Sequence, residues 1–195
     1  MEYNPEAKTQ EELEEQLEYA ESIMVNTIAE TMDFYGVTPS VGRLYGTLYF
    51  QHHPMTLDEM KDKLGMSKPS MSTSVRKLQD INIVQKVWRK GSRKDLFMAE
   101  KDYFQYFKQF FCKKWEREAE MFLTSINESQ KELAKVLEDP NLEEDLKETA
   151  QLDYEQLEAA RKYYHWMERL VDFIESDEIY EHLPKELDEE DQNKK

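Results

Sequence analysis

The chain reads as mainly α, with one short β-hairpin set among helices, and three observations lead there. Only five Gly and six Pro occur in 195 residues, so loops are few. Charged residues make up 35% and hydrophobic residues 39%, a balance that suits long solvated helices over a core better than a compact sheet protein. Apolar residues recur at steps of three and four in most segments, while short β-rich runs are confined to about residues 83–99.

From Gln10 to about Tyr35, Leu13, Leu17, Ala20, Met24 and Ile28 recur at helical spacing with Glu between them, and Gly36 ends the helix. Pro39–Ser40 start a second helix, Val41 to about Gln51, with Leu44, Leu48, Tyr45 and Tyr49 on its apolar face; Pro54 closes it. Thr56-Leu57-Asp58-Glu59 spells a capping box, in which hydroxyl and carboxylate satisfy each other's backbone amides. Leu57, Met60 and Leu64 line one side of that short helix, and Gly65 supplies its left-handed exit. Ser67 caps the next helix, which tolerates Pro69 in its first turn and runs to about Asp80. Two strands follow, Ile83–Trp88 and Asp95–Ala99, joined by the turn Arg89–Lys94. A helix from about Lys101 is crowded with aromatic side chains until Asp139-Pro140-Asn141 breaks it. The last helix, about Leu142 to Glu181, carries Leu157, Ala160, Tyr164, Met167, Val171 and Ile174 at steps of 3-4-3-4-3. That heptad seam needs something to pack on, either a second chain or the chain's own N-terminal helix. The charged tail beyond Pro184 is expected to be disordered.

Several function classes drop out. No apolar run approaches the roughly 18–20 residues that span a bilayer, and the start Met1-Glu2-Tyr3-Asn4-Pro5 lacks a basic, apolar leader, so a cytoplasmic location is expected. The single Cys112 excludes an intramolecular disulfide and any Cys-cluster metal site, and His52, His53, His165 and His182 show no ligand spacing. No metal or cofactor is expected. No nucleophile–base set or phosphate loop is visible, which argues against an enzyme. Lys113–Lys114 beside Cys112 would lower a thiol pKa and make a redox trigger, against the plainer reading of a buried side chain.

Charge gives the positive indication. From Lys61 to Lys94 ten Lys or Arg stand against two acids, a local +8 in a chain of net −16. A positive surface on an anionic body approaches a polyanion in one orientation only, and double-stranded DNA is the commonest polyanion. The same window holds the helix pair and the hairpin, which together make a winged helix-turn-helix. In its second helix Met71, Val75 and Leu78 share the core side, leaving Pro69, Ser70, Thr73, Arg76 and Lys77 outward. Arg76 suits bidentate bonding to guanine, Thr73 is short and adaptable, and Pro69 can touch a thymine methyl. Ser67 and Lys68 sit at the helix N-terminus, where phosphate is favoured. The wing turn, with Arg89, Lys90, Ser92, Arg93 and Lys94, suits the backbone or the minor groove. Arg93 can instead form an internal ion pair with Asp95. Trp88 is expected to pack under the wing rather than stack on a base.

The stretch Met66-Ser67-Lys68-Pro69-Ser70-Met71-Ser72 leading to Leu78, with Val87-Trp88-Arg89-Lys90-Gly91-Ser92-Arg93-Lys94-Asp95 through Glu100, resembles the GbsR branch of the MarR-type transcriptional regulators. The Gly-Ser-Arg-Lys-Asp wing is the specific part, and the flanking long helices extend the resemblance over about residues 10–180. It departs from the wider MarR pattern in its Lys/Arg-rich, Ser-bearing wing, which replaces an Asp-x-Arg tip. The resemblance implies a bacterial repressor of genes for taking up or making glycine betaine, with some members sensing choline. It also implies a homodimer whose terminal helices interlock and whose wings straddle an inverted repeat.

On that footing the chain divides into 10–35, an N-terminal helix of the dimerisation base; 36–100, the winged helix-turn-helix; 101–182, a helical dimerisation and ligand region; and 183–195, the tail. A quaternary ammonium such as choline or glycine betaine donates no hydrogen bond and needs aromatic faces. Tyr103, Phe107 and Phe110 are spaced to share one helix face, with Phe104, Phe111 and Trp115 on another; Tyr45, Tyr49, Tyr163, Tyr164 and Trp166 can close the box from other helices. A core role is the competing reading for each ring. Two other functions fit the sequence: a MarR-type regulator sensing oxidants or aromatic compounds, and an acidic winged-helix adaptor that binds protein.

Overall fold

A computed structural model describes residues 8–91 and 93–186, in two compact units that divide between Tyr106 and Phe107. The division falls six residues beyond the expected boundary at 100/101. Ser92 and the tail from residue 187 lie outside the described residues.

The first unit begins with α1 (Gln10–Phe34) and α2 (Pro39–Phe50). Helix α1 starts at a capping box that sequence reading had passed over: the Glu12 amide donates to Thr9 Oγ1 (3.2 Å), and the Thr9 amide to the Glu12 carboxylate (2.8 Å). Its C-terminal half buries Ile28, Ala29 and Met32. Helix α2 lies close against it because of two glycines. A Cβ on Gly42 would stand 2.7 Å from Ala29 Cα, and one on Gly46 3.1 Å from Val25 Cα. Only hydrogen fits at the first of these.

Next come β1 (Met55–Thr56), α3 (Leu57–Leu64) and α4 (Lys68–Asp80), then β2 (Val84–Val87) and β3 (Leu96–Ala99). The expected capping box of α3 is present, and Gly65 ends it at φ 65°. Helix α4 starts at Ser67, whose hydroxyl accepts from the Ser70 amide. Asn82, at φ 59°, turns the chain into β2. The sheet has three strands in the order β1-β3-β2, where two were expected. Its extra strand pairs Met55 with Phe97 and Thr56 with Leu96. Two residues are too short to show alternation, so only the backbone pairing reveals that strand. The core joins Leu44, Tyr45 and Leu48 of α2 with Met60, Met71, Val75, Leu78, Ile83, Val84, Leu96 and Phe97, all buried.

The second unit is a helical hairpin. Lys108–Cys112 forms a π-helical turn and α6 (Lys113–Leu137) continues from it; α5 is the short Tyr103–Phe107 helix at the junction of the units. Helix α7 (Glu144–Glu175) returns along α6. It ends six residues before the expected limit, because Asp177 takes a left-handed conformation (φ 66°) before α8 (Ile179–His182). The heptad seam finds a partner within its own unit. Tyr164 and Met167 pack with Ala119 and Ile126, flanked by Trp115, Leu123, Leu157 and Ala160. Val171 and Ile174 pack with Cys112. The seam's partner is α6, an amphipathic helix whose apolar stripe the sequence obscured among charges.

A polar cluster fixes this register. The Arg161 guanidinium donates to Asn127 Oδ1 (2.7 Å), to Glu158 (3.2 Å) and to Gln130 Oε1. Gln130, itself buried, donates on to the Tyr154 carbonyl at 3.4 Å. A slip of one turn would part these groups and leave the buried Gln130 side chain without its partners, which is expensive.

Candidate nucleic-acid interface

The face proposed to meet DNA is built on α4. Met71, Val75 and Leu78 are buried as expected and anchor one side of the helix. Ser67, Lys68, Pro69, Ser70, Thr73, Arg76 and Lys77 are all exposed on the rest. The Ser67 hydroxyl donates to Ser70 Oγ at 2.9 Å, which orients both at the helix start.

The wing is held by ladder pairs from Val84↔Ala99 to Val87↔Leu96. Arg89, Lys90, Arg93 and Lys94 are exposed beyond the last pair. Asp95 is paired with Lys86 at 2.8 Å, and not with Arg93 as the sequence allowed. Among the described residues no carboxylate pairs with Arg76, Lys77, Arg89, Lys90 or Arg93. Trp88 corrects another expectation. It is 83% exposed and does not pack under the wing, because β2 ends at Val87 and none of the described residues covers the next one.

One functional candidate escaped sequence reading. Asp58, the second residue of α3, receives Lys68 on one carboxylate oxygen (2.8 Å) and Lys94 on the other (3.0 Å). The two ammonium groups, Lys68 first, hold its carboxyl well below the usual range, at about 2. Exposed ion pairs contribute little to stability. What this one does is geometric: a single side chain ties the start of α4 to the end of the wing. The partners lie 10 and 36 residues away, so no local pattern could have announced it.

Of the aromatic residues expected to form a cage, Tyr45, Tyr49 and Tyr103 belong to the first unit and Phe107, Phe110, Phe111 and Trp115 to the second. In the first, Tyr45 stacks on Tyr106 (5.3 Å), while Tyr49 meets Tyr103 at 5.3 Å. Tyr45 is fully buried and donates its hydroxyl to the Glu100 carbonyl at 2.8 Å; burial raises its pKa, as it raises that of Tyr106 to about 12. Tyr45 is a core residue with a satisfied hydroxyl. In the second, Phe107, Phe111 and Trp115 form a run, at 5.1 Å and 5.8 Å between successive rings. Phe110 is buried, with the Lys114 ammonium 4.7 Å from its ring centre. The expected grouping of Phe107 with Phe110 therefore fails: Phe107 keeps company with Phe111 and Trp115, in a segment wound as a π turn. Cys112 is also buried, and burial, joined by the Glu175 carboxylate, pushes its thiol up to about 11. The neighbouring lysines do not make it a ready thiolate.

A capped helix pair, an exposed polar and cationic second helix and a basic wing on a small sheet define a winged helix-turn-helix transcriptional regulator. Residues 103–181 match the family described as GbsR family transcriptional regulator, C-terminal helical hairpin. The HTH-type transcriptional repressor GbsR of Bacillus subtilis (strain 168) is 50% identical over 170 residues, 87% of this chain and 94% of that protein. The HTH-type transcriptional repressor OpcR of the same organism is 36% identical over 169 residues, covering 87% and 91%. A crystal structure of a transcriptional regulator shares the fold, with TM-score 0.57 at 15% identity over 82% of this chain and 98% of its own. The chain belongs to the GbsR family: it is a DNA-binding transcriptional regulator and not an enzyme.

Proposed function

We propose that the protein is a ligand-responsive repressor of genes for taking up or synthesising glycine betaine, acting in the cytoplasm as a homodimer on an inverted repeat. The observation that carries the DNA-binding part is the exposed row Thr73, Arg76 and Lys77 on a helix anchored by Met71, Val75 and Leu78. In this reading α4 enters the major groove, with Arg76 and Thr73 at base edges. Ser67, Lys68, Pro69, Ser70 and Lys77 border the groove, and Arg89, Lys90, Ser92, Arg93 and Lys94 follow the backbone or the minor groove. The repressor names of two relatives support repression over activation.

The dimer reading draws support from the N-terminal half of α1. Leu13, Leu17 and Met24 recur on one side of that helix and stay exposed in a single chain, Leu17 by 61%. Apolar stripes of this kind mark association surfaces. Two-fold symmetry would set two α4 helices about 34 Å apart, one DNA turn. The effector of this proposal is choline or glycine betaine, held by aromatic faces and shifting the chain between conformations of different operator affinity. Burial of Cys112 counts against the oxidant-sensing alternative.

Selection of duplexes from a random pool by the full-length protein tests the reading. Recovery of an inverted repeat, released by choline or glycine betaine, is the expected result. Recovery of no preferred sequence would remove repression by base readout and favour the protein-binding adaptor. Sedimentation at twice the chain mass of 23.4 kDa is expected; a monomer at micromolar concentration would remove the dimer.

A further inference from the structure

We propose that Trp88 is an apolar DNA contact, an indole at the base of the wing that packs against deoxyribose and base edges along the minor groove. The inference rests on the DNA-binding reading above and adds a contact of a different chemical kind. Tryptophan is seldom left in water, since its large apolar body gains much from burial. The other two tryptophans follow that rule in part: Trp115 meets Phe111 at 5.8 Å, and Trp166 stacks on Tyr163 at 6.0 Å. Trp88 is 83% exposed. Among the described residues none makes a ring contact or hydrogen bond with it. Its position is nonetheless fixed, because it directly follows the last ladder pair, Val87↔Leu96, and the Lys86–Asp95 ion pair braces the strands just before it.

The surroundings select the occupant. Arg89 and Lys90 follow directly and Arg93 stands on the other arm of the same turn, all exposed and without a carboxylate partner among the described residues, so the charge here favours an anionic occupant. It must also offer an apolar face. The minor groove supplies both, with phosphates on its rims and sugar edges along its walls, and apolar wedges beside basic residues are a recurring way to bind it. The contact is not Coulombic. Losing it weakens binding without altering the number of phosphates neutralised, so the salt dependence stays unchanged.

The test uses the full chain and the duplex selected above. Trp88→Ala is expected to weaken binding about tenfold or more with the same slope of affinity against salt, and Trp88→Phe to recover most of the loss. A melting curve like that of the wild type is expected for both, since the side chain is 83% exposed. In a Trp115→Phe/Trp166→Phe background, Trp88 fluorescence is expected to change at one equivalent of duplex and to lose its access to acrylamide. If the wild type binds duplex while Trp88→Ala binds equally well, this inference falls and the DNA reading stands. If the wild type binds no duplex, the DNA reading itself falls. Shielding of Trp88 from acrylamide before DNA is added would assign the indole to a contact between chains and overturn the proposal.

Discussion

The two units put their charged residues to different uses. The winged unit exposes its cations in one place, whereas the helical hairpin spreads its charge and spends its order on packing. Residues 61–94 hold ten Lys or Arg against two acids, but residues 107–195 hold 13 against 25. In the hairpin, Arg161 is bound to three side chains of α6 and α7. In the winged unit, Arg76 and Arg89 stand exposed with no carboxylate partner among the described residues. The same residue type is therefore structural in one unit and available to a ligand in the other. Charge counts mark the basic window; pairing shows which of its cations are free of carboxylates.

The contrast can be broken at either end, and the largest effect is expected in the hairpin. Met167→Ala empties a site between Ala119, Ile126 and Tyr164 and should cost about 2–5 kcal/mol in denaturant unfolding. The salt slope of DNA binding by the folded protein should not move. The converse comes from Arg89→Ala/Lys90→Ala/Arg93→Ala, which should leave unfolding unchanged. It should weaken binding to every duplex by roughly a hundredfold near 0.15 M salt and flatten the slope by up to about 2.7. A variant that changed stability and slope together would erase the division between the units.

A smaller effect is expected at Gly42. An added methyl must push on Ala29 Cα at 2.7 Å, so Gly42→Ala should destabilise the winged unit by about 1–3 kcal/mol while Gly36→Ala, in open space, does so only through its positive φ. Asp58→Asn should leave the melting curve unchanged, yet release Lys68 and Lys94 toward phosphate. Its salt slope should steepen by about 1–2 and its discrimination between operator and random duplex should fall. Last comes Cys112. The folded chain keeps the thiol proton up to about pH 11, where the unfolded chain has lost it from about pH 9. Stability should therefore fall as pH rises through that window, and less so in Cys112→Ala. Fast labelling of the native thiol at pH 8 would contradict its burial.

Much of the winged unit was legible because its signals are local. Thr56 and Glu59 are three residues apart, Gly65 and Ser67 sit at helix ends, and Met71, Val75 and Leu78 repeat at helical spacing. The hairpin was legible as two helices but not as a pair. Its heptad seam correctly announced a packed face without naming α6 as the partner, since periodicity shows which residues are buried and not against what. The π turn at Lys108–Cys112 was invisible for a related reason: it redirects Phe107 and Phe111 without changing composition.

Sequence alone determined most of the helices, the caps of α3 and α4, the basic window and the family resemblance, all of which are carried by contiguous stretches of chain. Tertiary structure decided which cations are tied down, that Trp88 lies open while Cys112 is enclosed, and that one carboxylate joins Lys68 to Lys94. Exposure and ion pairing are set by groups brought together from far along the chain, and no spacing rule carries that information.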